Sequence, residues 1–91
     1  MSKRINEKLR AEVEMLELSL TLFGFSQQIL SGTAHERRYT YDALKLSVYV
    51  WRSGDSAEMI LHQDNTRVIT TYFKARPIID EVQEILDESQ A

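Results

Sequence analysis

Residues 38–52, RYTYDALKLSVYVWR, decide the fold. Leu44, Leu46, Val48 and Val50 recur at every second position, the period of a strand whose side chains alternate between two faces. The positions between them read Tyr39, Tyr41, Ala43, Lys45, Ser47, Tyr49 and Trp51, and Arg37 continues that parity. A regular strand over 38–52 therefore has one aliphatic face and one on which aromatic rings interleave with cations. Downstream, Arg52-Ser53-Gly54-Asp55-Ser56 is a turn by composition, Ala57 to His62 a short second strand, Gln63-Asp64-Asn65-Thr66 a second turn, and Arg67 to Phe73 a third strand. Neither parity of these strands is plainly polar. Ile60, Val68 and Tyr72 share one, Met59, Leu61, Ile69 and Phe73 the other, so both faces of the sheet want cover.

Upstream, good helix formers follow Ser2, a plausible N-cap, with Lys3/Glu7, Lys8/Glu12 and Arg10/Glu14 four residues apart. From residue 13 the chain turns apolar: Met15, Leu18, Leu22, Phe25 and Ile29 recur at 3-4 spacing beside a second stripe of Leu16, Leu20, Phe23 and Leu30. Gly32 stands where a C′ glycine would close one long helix over 3–31, and a polar loop, Gly32 to Arg37, follows. Leu16, Leu18, Leu20 and Leu22 also alternate with polar residues, and Gly24 weakens a helix interior, so a strand over residues 14–25 is the competing reading. At the other end, Pro77 fits the first turn of a helix, Asp80 and Glu81 fall near its positive pole, and Ile78, Ile79, Val82, Ile85 and Leu86 supply its apolar face.

The expected architecture is a single α+β domain over residues 1–91: a long N-terminal helix, a three-stranded antiparallel meander and a short acidic C-terminal helix. The order resembles, in outline only, that of the double-stranded-RNA-binding domain. The family's basic cluster at the last helix is missing, since only Lys74 and Arg76 precede a helix whose charges are Asp80, Glu81, Glu84, Asp87 and Glu88, and the glycine-rich approach is missing too. In a chain of 91 residues the doubled apolar stripe leaves surplus surface, for which a homodimer through Met15, Leu18, Leu22, Phe25 and Ile29 is the simplest sink.

Composition narrows the function classes. The chain has no cysteine, which removes thiol catalysis and thiolate metal sites. It has no apolar run long enough to span a bilayer and no signal-type leader, so no membrane association and a cytoplasmic location are expected. A net charge of −3 argues against a general electrostatic nucleic-acid binder. Gly24, Gly32 and Gly54 are scattered, so no phosphate-cradling loop exists. The two histidines lack a nucleophile or base context: His35 reads as a loop residue, and His62 with Asp64 lacks further metal ligands. Neither catalysis nor a cofactor is expected. The remaining constellation is Arg37, Tyr39, Tyr41, Lys45, Tyr49 and Trp51, whose composition suits burial under a helix, a protein interface or stacked bases. The reading that follows is a small non-enzymatic binding protein, of the class of cytosolic adaptors and phage-type inhibitors, acting as a homo-oligomer through protein–protein contacts. The alternative is a nucleic-acid-binding module, with Arg37, Arg38, Lys45 and Arg52 on phosphates and Tyr41, Tyr49 or Trp51 stacking.

Overall fold

The computed structural model describes residues 2–29, 36–53, 56–72 and 74–90. Helix α1 runs over Ser2–Phe23, which resolves the helix-or-strand ambiguity in favour of helix but stops it well short of residue 31. Gly24, not Gly32, closes it, and Gly32 itself lies outside the described residues. At φ +102°, a region that L side chains rarely adopt, Gly24 donates its N–H to the Thr21 carbonyl at 3.1 Å, and Phe25 donates to Leu20 at 2.9 Å. These paired bonds satisfy carbonyls that a helix end would otherwise leave orphaned, and they turn the Phe25 ring into the core. The chain leaves the turn as a short strand, β1 (Ser26–Ile29).

The stretch 38–52 is likewise two elements, not one. Strand β2 (Glu36–Tyr41) ends in a 3₁₀ turn, Asp42–Leu44, and Lys45 in the left-handed region at φ 55° returns the chain as β3 (Leu46–Ser53). Strands β4 (Ser56–Gln63) and β5 (Thr66–Tyr72) follow, close to the expected positions. They are joined by Asp64 and Asn65, both at positive φ, the conformation that a two-residue hairpin turn requires. The sheet therefore has five antiparallel strands in the order β1-β2-β3-β4-β5, which corrects the expected three. The two extra strands come from the tail assigned to the helix and from the division of the long strand.

Helix α2 (Arg76–Ser89) starts with Pro77 in its first turn, as expected, and buries Ile78, Ile79, Val82 and Leu86. Asp80 lies beyond the first turn and forms an exposed pair with Arg76 at 3.7 Å. Both helices cover one face of the sheet. Leu9, Val13, Leu16 and Leu20 of α1 join the α2 residues over Tyr39, Leu46, Val48, Val50, Ala57, Met59 and Leu61 in one continuous core. No side chain caps the start of α2, but Glu12 of α1 accepts the Ala75 N–H at 2.8 Å, which places a carboxylate at the positive pole and ties the helices together.

Candidate functional site

The other face of the sheet has no helix over it among the described residues, and its side chains fall into three rows across the strands. The cross-strand register places Glu36, Trp51, Glu58 and Tyr72 in the first row. Arg38, Tyr49, Ile60 and Thr70 make the second. Thr40, Ser47, His62 and Arg67 make the third, the last brought into line by a bulge beside Leu61 and His62. Acidic groups therefore collect at one end of the face, and cationic or hydroxyl groups occupy the middle and the other end.

The aromatic groups are held in place by one another. Tyr49 meets His62 edge to face, with ring centroids 5.4 Å apart, and carries the Arg38 guanidinium 5.5 Å above its ring. Arg38 makes no ion pair among the described residues, and its Nε is buried without a hydrogen-bond partner, as is Nδ1 of His62. The Tyr72 hydroxyl donates to Glu58 at 3.2 Å. Between Tyr49, Trp51, Ile60 and His62 runs an open groove of about 420 Å³, with Glu36 and Glu58 on its walls. Trp51 is 44% exposed and Tyr72 59% exposed, high values for large apolar rings on a sheet.

The six residues expected to share one face do not share it. Arg37, Tyr39 and Tyr41 pair with Val50, Val48 and Leu46 and so point towards the helices, whereas Tyr49 and Trp51 point away. Lys45 belongs to the turn, where its ammonium lies 3.8 Å from the Asp64 carboxylate. Arg52, opposite Ala57, also takes the helix-side parity. The apolar stripe expected to form the oligomer interface is divided too. Phe25 is in the core, Met15 packs against it, Leu18 and Leu22 are 62% and 78% exposed, and the side chain of Ile29 lies outside the described residues. Sequence reasoning passed over Glu36 and Glu58 on the open face, and it placed Ile60 and Tyr72 on one parity without joining them to the site. The shared parity of Ile60 and Tyr72 was the available signal.

On the helix side, Arg37 and Tyr39 perform a structural task. Arg37 Nη1 and the Tyr39 hydroxyl both donate to Oε2 of Glu17, at 2.7 and 2.6 Å, and Gln27 Nε2 donates to the Tyr39 oxygen at 2.8 Å. This clasp fixes α1 over β1 and β2. Burial, together with the bond to the Glu17 carboxylate, pushes the Tyr39 hydroxyl up to about 12. The hydrogen bond and the charge of Glu17 raise Arg37 above its ordinary value.

No family model, curated protein or solved structure matches this chain. The site is therefore read from its own residues. His35 lies outside the described residues. His62 stands between Ser47 and Arg67 on the open face, and the carboxylate of Asp64, its expected companion, turns to Lys45 instead. Among the described residues no group of three or more histidines and carboxylates is placed to hold a metal ion. No described helix is long and apolar enough to cross a membrane.

Proposed function

We propose that this chain is a small, non-enzymatic binding protein that works by burying the open face of its sheet against another polypeptide. The observation that carries this reading is the uncovered sheet face itself, with Tyr49, Trp51, Ile60 and His62 around an open groove, Tyr72 exposed in the same row as Trp51, and both signs of charge across the face. Aromatic anchors within a mixed-charge rim are the composition of protein interfaces. Support for a role without chemistry comes from how the titratable groups are engaged. Glu17 is occupied by Arg37 and Tyr39, Asp64 by Lys45, and His62 stacks on Tyr49 with no carboxylate in its row.

The nucleic-acid alternative loses support at the same face. Of its four phosphate-binding cations, Arg37 is engaged by Glu17, Arg52 takes the other parity and Lys45 lies in the turn beside Asp64, which leaves Arg38. The principal stacking ring, Trp51, sits between Glu36 and Glu58, whose carboxylates repel a phosphate backbone.

The test replaces Tyr49 and Trp51 together with alanine. On an uncovered face the double variant keeps its circular dichroism spectrum and cooperative melt while losing protein binding. Collapse of the fold instead would show that these rings are core and refute the reading. In parallel, Trp51 emission is followed while mixed-sequence single- and double-stranded DNA and RNA are added at low and physiological salt. A flat response is expected, and a quench that weakens steeply with salt would move the assignment to nucleic acid.

A further inference from the structure

We infer that the polypeptide seated on the open face is a second copy of this chain, packed sheet to sheet about a two-fold axis that lies between the sheets and runs across the strands. The inference deepens the proposed function and rests on its reading of that face as a protein interface. It comes from the uneven placement of charge. Glu36 and Glu58 flank Trp51 in one outer row, whereas Arg38 is in the middle row and His62 and Arg67 are in the opposite outer row.

Two copies meeting face to face can be related by an in-plane axis along the strands or across them. An axis along the strands sets acidic row against acidic row. An axis across the strands reverses their direction and lays the acidic row of each copy over the outer row of the other that holds His62 and Arg67, twice by symmetry, while the middle row falls on itself. The same operation answers a question of shape. Within β3 the bulky end of the face is Trp51 and the slight end is Ser47, so reversal sets each large ring over a small residue, with Tyr49 and Ile60 near the axis.

The area fits as well. Five strands about 4.8 Å apart and roughly seven residues long make a plane of about 600 Å² before side-chain relief is counted, close to the ~800 Å² that each partner buries in a standard interface. Arg38, preset over the Tyr49 ring and without an ion-pair partner among the described residues, lies near the axis, one row away from the acidic row of the other copy.

The experiment uses the full chain and measures mass by sedimentation equilibrium from low to high micromolar concentration. Three samples are compared: wild type, Glu36→Arg/Glu58→Arg, and Arg38→Glu/Arg67→Glu. Wild type is expected at twice the 10.6 kDa chain mass, with Trp51 emission moving to shorter wavelength as concentration rises. Each variant, folded by circular dichroism, carries a face of nearly uniform sign and weakens self-association by about 100-fold or more. Mixing the two variants in equal amounts restores the dimer, because opposite faces then meet. A wild type that stays monomeric with unchanged Trp51 emission overturns the inference, and that measurement needs no variant. Variants that remain dimeric, or a mixture that stays monomeric, also overturn it. A monomeric wild type whose binding to another protein still depends on Tyr49 and Trp51 refutes only the second copy as occupant, whereas unfolding of the alanine variant refutes the protein-interface reading itself.

Discussion

Removing the Glu17 carboxylate tests the clasp that sets α1 on the sheet. In Glu17→Ala the Arg37 guanidinium and the Tyr39 hydroxyl lose bonds of 2.7 and 2.6 Å. A hydrogen bond to a charged group contributes about 1.5–3 kcal/mol, and the Tyr39 residue is only 1% exposed, so its hydroxyl has little access to water. The side chains of Arg37 and Glu17 keep 31% and 18% exposure, and solvent offsets part of the ionic loss. The expected cost is about 2–4 kcal/mol, or a fall in Tm of about 10–25 °C for a domain of this size. Urea denaturation of Glu17→Ala, Tyr39→Phe and the double variant closes a cycle in which a coupling of at least about 1 kcal/mol is expected. The hydroxyl adds a second signature. The unfolded chain ionises Tyr39 near 10 and the folded one near 12, so its contribution is fully present below pH 10 and is lost as pH rises from 10 to 12. The loss over that window is on the order of 2 kcal/mol and is absent from Tyr39→Phe. Additive single variants, or a Tyr39→Phe stability curve parallel to that of wild type above pH 10, would refute the reasoning.

Two further sets of substitutions check the architecture beside the tests of the open face and of its pairing. Gly24→Ala forces a Cβ into a conformation at φ +102° and is expected to cost about 1–2 kcal/mol in chemical denaturation; wild-type stability would show that the helix end is not held there. Leu18→Gln and Leu22→Gln, on the exposed side of α1, are each expected to change stability by less than about 0.5 kcal/mol, whereas Leu16→Ala or Leu20→Ala costs about 2–5 kcal/mol. Equal losses from the two pairs in urea melts would mean that the exposed stripe is covered in solution.

The elements legible in the sequence are those in which one period persists between strong stops. Alternation bounded by turn residues gives β4 and β5, and Pro77 followed by a 3-4 apolar pattern gives α2. Two boundaries were missed. Phe25 and Ile29 continue the helical spacing beyond Phe23, yet Phe25 is buried by the turn at Gly24 and the chain after it is a strand. The strand 26–29 is mostly polar, which kept it out of view. In 38–52 the apolar positions change from odd (Tyr39, Tyr41, Ala43) to even (Leu44, Leu46, Val48, Val50) at the turn, and that switch, with the poor strand propensities of Asp42, Ala43 and Lys45, was the warning. The consequence for the site is a reversal of parity. Tyr41 pairs with Leu46, so odd positions before the turn share a face with even positions after it, and the single aromatic-basic face separates into a buried clasp and an exposed groove. Charge placement on the open face was out of reach for the same reason, because the rows exist only once the register is known.

The bond from Ala75 to Glu12 spans 63 residues and has a consequence during synthesis. The hairpins of the meander join neighbours in the chain and can close as they leave the ribosome. The apolar stripe of α1, made much earlier, must wait for β4 and α2. At translation rates of about 5–20 residues per second, the interval between Glu12 and Ala75 is roughly 3–13 s. Throughout it Leu9, Val13, Leu16 and Leu20 lack the part of their native cover that β4 and α2 supply.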